Sequence, residues 1–194
     1  MTMQSDESNS ARIVVTMPMR PSRFESALAG INDSGVLIET IESFLHLSRR
    51  ATDRLVVASP FLDANGLEWV SSLFEATRAP DRTLICRHYD QVTPPYDTRL
   101  SVAGVTIYEY FLERTPKGWG SRPAETFHAK IVLADQVAAY VGSANLLRSS
   151  KELSLECGVL LEGRAVKQVY DVVQSMLQIS ALRRNLSGHQ SPRR

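Results

Sequence analysis

Apolar residues along this chain recur at two spacings, and the spacing changes from segment to segment. In "GVLIETIESFLHLSRR", residues 35–50, Leu37, Ile41, Phe44 and Leu45 share one face at the helical period, and Asp33 or Ser34 stands where a first turn would be capped. A helix is expected there. "RLVVASPFL", residues 54–62, is a short unbroken apolar run of the kind a buried strand carries, and "SPFLD" at its end leads into a helix cap, with no chemical argument for Asp63. "NGLEWVSSLFEATR" returns to the helical stripe through Leu67, Val70, Leu73 and Phe74. Strand-like "RTLICRHY" and "GVTIYEY" follow, then a strand from Phe127 to Leu133, a second in "QVAAYVGS" joined to it by a tight turn near Asp135, and a third in "ELSLECGVLLEG". From Ala165 to about Leu182, a closing helix places Val166, Val169, Tyr170, Val173, Met176 and Leu177 on one face.

Strands alternate with helices early and then run together, so the expected class is α/β: a mixed β-sheet flanked by helices, in one domain. A chain of 194 residues suits one core, hiding roughly 70% of the unfolded surface. The domain is expected over residues 21–182. Residues 1–20 read as disordered, although "RIVV" within them has the pattern of a short strand, and residues 183–194 read as a flexible tail made basic by Arg183, Arg184, Arg193 and Arg194.

Composition changes this picture little. With 22 Lys and Arg against 21 Asp and Glu, net charge points to neither a nucleic-acid nor a membrane partner. The opening "MTMQSDESNS" differs from a secretory signal, and no later run of roughly 18 apolar residues offers a membrane anchor, so a cytoplasmic protein is expected. Cys86 and Cys157 lie in apolar strand-like runs and are expected to be reduced and buried. They form no CxxC pattern, and neither a metal nor another cofactor is expected.

Candidate chemistry concentrates in "FHAKIVLADQVAAYVGSAN", residues 127–145. Side chains alternate along a strand, so His128, Lys130 and Val132 share a face and project an imidazole beside an ammonium. Ser143 and Asn145, also two apart, end the neighbouring antiparallel strand, and the hairpin brings them alongside. Displacement at a phosphodiester needs a nucleophile, positive charge for the non-bridging oxygens and a proton donor for the leaving oxygen. Histidine supplies the first and third, lysine the second.

The spacing H-x-K-x4-D-x6-G-S-x-N, matched by His128, Lys130, Asp135, Gly142, Ser143 and Asn145, resembles the signature of the phospholipase D superfamily. Six such positions arise by chance at about a few in a million. The resemblance extends over residues 35–180 or so and implies a phospholipase D-like domain with a two-step, metal-independent mechanism. His128 would attack phosphorus and form a phosphohistidine, while a second histidine protonates the leaving group and then activates water. Lys130, Ser143 and Asn145 would hold the phosphoryl oxygens. Glu156 matches the family's downstream acid, which hydrogen-bonds the histidine and fixes its tautomer. Asp135 belongs to the catalytic motif, but reads as a structural turn residue rather than a proton carrier.

Family enzymes need two such motifs and this chain supplies one, because His46, His88 and His189 all lack a lysine two residues later. A homodimer that brings two His128 residues together across its axis completes the site economically, with a heterodimer as the alternative. Single-motif members resemble compact bacterial phosphodiesterases and nucleases, including restriction and antiphage defence proteins, so DNA or RNA is the expected substrate. Arg114, Lys117, Trp119 and Arg122 precede the catalytic strand and suit phosphate contact and base stacking. A polar surface loop accounts for them about as well. The alternatives are a phospholipid or small-phosphodiester hydrolase, or a non-catalytic phosphate- or partner-binding module. Locally, Glu156 also reads as a strand carboxylate paired with a lysine, His88 with Asp90 as a solvated strand end and His46 as a helix-flank residue.

Overall fold

The computed structural model describes residues 9–18, 22–29, 37–89, 100, 103–113 and 123–185. In chain order its elements are β1 (Ser10–Thr16), α1 (Arg23–Ala29), β2 (Ile38–Glu39), α2 (Thr40–Arg50), β3 (Arg54–Ala58), α3 (Ala64–Ala76), β4 (Asp81–Cys86), β5 (Thr106–Glu109), β6 (Phe111–Glu113) and β7 (Pro123–Thr126). There follow β8 (Lys130–Ala134), β9 (Ala138–Gly142), α4 (Arg148–Glu152), β10 (Glu156–Glu162), α5 (Val166–Ile179) and β11 (Ala181–Asn185). Nine strands form one mixed sheet in the order β11-β5-β4-β3-β8-β9-β10-β1-β2, and β6 pairs with β7 in a separate hairpin.

The unbroken apolar runs are explained by a sheet covered on both faces. On β3, Leu55 and Val57 pack with Phe44 and Leu47 of α2 and with Leu67, Val70, Leu73 and Phe74 of α3. Val56 and Ala58 point the other way, into a cluster with Val166, Val173 and Met176 of α5. The period-2 alternation of the strands thus meets the 3.6-residue stripes of the helices on opposite sides. Each fully buried Leu, Val or Phe contributes roughly 1.5–3 kcal/mol of transfer free energy.

The α/β class with a mixed, helix-flanked sheet is the observed architecture. Its limits reach past residues 21–182 at both ends. β1 pairs antiparallel with β10 along its whole length, and β11 pairs with β5 at the opposite edge. The helix expected over 35–50 begins at Thr40, because Ile38 and Glu39 pair with Val14 and Val15 of β1. Its N-cap is Glu39, without a side-chain cap, and Asp33 and Ser34 lie outside the described residues. In "ELSLECGVLLEG" the strand begins only at Glu156, since Arg148–Glu152 is helical. Both cysteines are free, but only Cys86 is buried; Cys157 is exposed, its side chain alternating away from the buried Glu156 and Gly158. Among the described residues no helix is long and apolar enough to cross a membrane.

Candidate active site

β8 runs antiparallel to β3, and β3 is parallel to β4. The start of β8 therefore lies beside the ends of β3 and β4, where the loops of an open α/β sheet present their ligands. The end of β9 and the start of β10 come to the same place through antiparallel pairing.

Lys130 is the first residue of β8 and is only 4% exposed. His128 stands two residues ahead of it, outside the strand and exposed, so the ladder does not fix its side chain as strand alternation had suggested. The lysine reaches back instead. Its Nζ donates to the His128 carbonyl at 2.8 Å and lies 2.9 Å from Nδ1 and 3.3 Å from Nε2 of the imidazole. Being within 3.3 Å of both ring nitrogens, the ammonium lies against the imidazole rather than along one nitrogen's lone pair, and it selects neither tautomer.

Burial holds the Lys130 ammonium below the ordinary lysine pKa; the Glu156 carboxylate opposes this shift and the Arg87 guanidinium adds to it. Glu156, buried at the head of β10, accepts a hydrogen bond from Ser143 Oγ at 2.5 Å. Ser143 is held from three directions: its Oγ also accepts from Cys157 N at 3.0 Å, and its N–H donates to the Cys157 carbonyl at 3.1 Å. Glu156 thus meets the site through Ser143 and the charge of Lys130. The hydrogen bond to the histidine that the resemblance implied is not among those of the described residues.

Asn145 follows in the same loop, and its Oδ1 is buried without a hydrogen-bond partner among the described residues. The loop is tied to the one after β3. Leu146 N donates to Ser59 Oγ at 3.1 Å, Asp63 N donates to the Leu146 carbonyl at 3.3 Å, and Arg148 N donates to Asp63 Oδ2 at 2.9 Å. The other oxygen of Asp63 caps α3 by accepting from Gly66 N at 2.7 Å. A Cβ on Gly66 would stand 1.6 Å from the Leu146 carbonyl oxygen, so only glycine permits this approach.

Asp135 is elsewhere. It occupies the turn at the far end of β8, roughly 16 Å from Lys130 at about 3.3 Å per strand residue. At φ 53° it is in the left-handed region, and its carboxylate accepts from Thr52 N, Thr52 Oγ1, Asp53 N and Arg54 N. Burial alone would raise its pKa, but these four hydrogen bonds outweigh that and lower it.

Two residues that sequence patterns did not single out meet the segment of His128. Arg87, just past β4, donates from Nε and Nη2 to the carbonyl of Phe127, and its guanidinium carbon lies 4.7 Å from the centre of the Phe61 ring. Phe61 meets the His128 ring edge-on, with centroids 5.9 Å apart. Neither belongs to a spaced motif, and only the sheet brings them to the histidine. His88 packs on Phe111 at 4.1 Å, and Asp90 lies outside the described residues. His46, on α2, has Nε2 3.9 Å from Glu162 Oε1. Arg114, Lys117, Trp119 and Arg122 lie outside the described residues.

The fold and the convergence of His128, Lys130, Ser143, Asn145 and Glu156 at one end of its sheet define a compact phospholipase D-like protein. Residues 45–177 match the family described as "Cardiolipin synthase, PLD-like domain", and the chain belongs to this PLD-like family. Solved structures agree on the fold. The phospholipase D family member Nuc from Salmonella typhimurium aligns over 91% of this chain and 99% of its own, at 10% identity and a TM-score of 0.55. NucT from Helicobacter pylori aligns over 91% of this chain and 100% of its own, at 13% identity and a TM-score of 0.58. Phosphatidylserine synthase from Haemophilus influenzae Rd KW20 aligns over 95% of this chain but only 42% of its own, at 13% identity and a TM-score of 0.53. No curated protein matches the chain by sequence.

Proposed function

We propose that this protein is a metal-independent phosphodiesterase that cuts DNA or RNA through a phosphohistidine, in an active site completed by a second copy of the chain. The observation that carries the reading is the Lys130 ammonium, buried and within 2.9 Å of the His128 ring, with the charge of Glu156 acting on it and Glu156 in turn held to Ser143. An imidazole with a fixed cation beside it suits in-line attack on a phosphodiester, the ring supplying the nucleophile and the ammonium the charge for the non-bridging oxygens.

In the first step an imidazole nitrogen of His128 bonds to phosphorus as the bond to the leaving oxygen breaks, and the second copy's imidazolium gives that oxygen its proton. In the second step the same imidazole takes a proton from water, the water oxygen bonds to phosphorus, and the P–N bond breaks with its electron pair returning to His128. Lys130 holds the charge on the non-bridging oxygens throughout. Ser143 and Asn145 line the phosphoryl position, and Glu156 fixes Ser143. The buried Asn145 Oδ1, without a hydrogen-bond partner among the described residues, suits a donor such as the attacking water or a group of the second copy.

Composition of the chain supports the dimer. It carries one motif and spans nearly the whole of Nuc and NucT, but 42% of the phosphatidylserine synthase, a chain long enough for two such units. The nucleic-acid substrate rests on the resemblance of single-motif chains to compact nucleases. Arg114, Lys117, Trp119 and Arg122 are its proposed contacts. A setting in an antiphage defence or restriction assembly is carried by that resemblance alone. The cytoplasm is the proposed location, where free thiols stay reduced.

The test is incubation of wild-type protein and His128→Ala, with chelator, on single- and double-stranded DNA, RNA, phosphatidylcholine vesicles and bis(4-nitrophenyl) phosphate. Nucleic-acid cleavage that vanishes in the variant is expected. Cleavage of the lipid alone would replace the substrate, and cleavage that survives in His128→Ala would remove the nucleophile.

A further inference from the structure

His128 poses a mechanical problem. It is exposed and lies before the first paired residue of β8, so no strand ladder holds its backbone and little burial limits its ring. An imidazole free to swing would lose the aligned approach that in-line displacement needs, and a misplacement of about 1 Å costs on the order of 10²-fold in rate.

We propose that Arg87 and Phe61 are positioning residues that brace His128 for attack, an inference that rests on the role of His128 proposed above. Arg87 grips the peptide immediately before the histidine. Two of its guanidinium N–H groups converge on the Phe127 carbonyl, a two-pronged hold that lysine cannot reproduce. Phe127 is itself buried, and its ring stacks on Tyr110 with centroids 5.7 Å apart, so the gripped peptide is tied to the domain on its side-chain end as well.

Phe61 completes the brace. One contact of its ring is the guanidinium of Arg87 and another is the imidazole of His128, so the aromatic ring lies between the two. Its backbone is fixed in turn, because the Phe61 carbonyl accepts from Ser59 Oγ at 2.9 Å, and the same hydroxyl receives Leu146 N from the Asn145 loop. The brace therefore links the two loops of the site to the nucleophile through one arginine and one aromatic ring. The Arg87 charge also acts on Lys130, lowering its pKa where the Glu156 charge raises it.

The experiment uses full-length protein carrying Phe61→Leu, Arg87→Ala or Arg87→Lys, with two readouts. Isotope-labelled histidine ring resonances, assigned with His128→Ala, report the position of the imidazole whether or not the protein turns over. Steady-state rates on bis(4-nitrophenyl) phosphate report its consequence. Phe61→Leu should move the His128 resonances through loss of the ring current and lower kcat by about 10-fold, with KM changed less than about 2-fold. Arg87→Ala should lower kcat by about 10- to 100-fold, and Arg87→Lys should recover only part of it. Unmoved His128 resonances in both Phe61→Leu and Arg87→Ala would overturn the brace, as would wild-type kcat in either. If wild-type protein is silent on the ester while the resonances still move, the brace stands and the phosphodiesterase reading is what fails.

Discussion

The hydroxyl of Tyr140 lies 2.2 Å from where a Cβ on Gly142 would stand, and the same ring fills the space above Gly158, the cross-strand partner of Gly142. The motif glycine is therefore a packing requirement. Gly142→Ala should push the buried ring off its seat and lower unfolding stability by about 1–3 kcal/mol, measured by urea titration. An unchanged midpoint would show that the ring and the Gly158 backbone, 2.6 Å from that Cβ, both give way at no cost.

Tyr140 also gives the fold an alkaline limit. Burial is the main cause that raises its pKa, from 10.0 to about 12. The unfolded chain releases this proton near its ordinary value and the folded one later, so between those two pH values the folded state binds more protons and stability falls as pH rises. The loss should be roughly 2–3 kcal/mol across the window and absent below it. Tyr140→Phe should flatten that limb in denaturation curves collected from pH 9 to 12; an identical slope in the variant would refute the assignment.

Asp135 separates structure from chemistry. Asp135→Ala removes an acceptor of four hydrogen bonds and places alanine at a positive φ, so it should cost roughly 2–3 kcal/mol while folded protein keeps most of its kcat. Because the folded carboxyl has a depressed pKa, its contribution is present above the unfolded value and lost as pH falls through the folded one. The variant should accordingly show a shallower loss of stability in acid. A collapse of kcat at full folding would return Asp135 to the catalytic step.

Lys130→Ala should lower kcat/KM by about 10²- to 10³-fold, since it removes the fixed charge for the phosphoryl oxygens. In wild-type protein the alkaline loss of rate should begin below the ordinary lysine value, because burial lowers the Lys130 pKa. Removing Arg87 should shift that limb upward. A limb unmoved in Arg87→Ala would show that another group titrates there.

A shared site has an arithmetical signature. When wild-type subunits are exchanged with His128→Ala subunits, a site that needs one His128 from each copy works only in wild-type pairs. Activity should then follow the square of the wild-type fraction. A linear dependence would mean that each chain acts alone.

Much of the fold was legible because its helices and central strands bury long, regular faces. Leu67, Val70, Leu73 and Phe74 are all at most 1% exposed, as their spacing requires. β1 and β11 were harder to read. The first half of β1 is largely exposed, and β11 is an edge strand whose sequence "ALRRN" looks like a polar tail. At the site, the motif residues were readable because chemistry dictates both type and spacing. Arg87 and Phe61 were not, because they come from the ends of other strands and only sheet order makes them neighbours of His128. Ser143 as the partner of Glu156 was equally hidden, since either residue alone reads as an ordinary strand-end polar group.

Asp135 binds the backbone N–H groups that open β3, the strand against which β8 is paired. A strand displaced by a single residue turns every side chain to the opposite face. Such a slip would carry Lys130 away from His128 and Glu156 and bring Ile131 to the reacting phosphorus. The aspartate at one end of the strand thus reinforces, together with the β3–β8 ladder, the register that sets which residue appears at the other, although its carboxylate never meets the substrate.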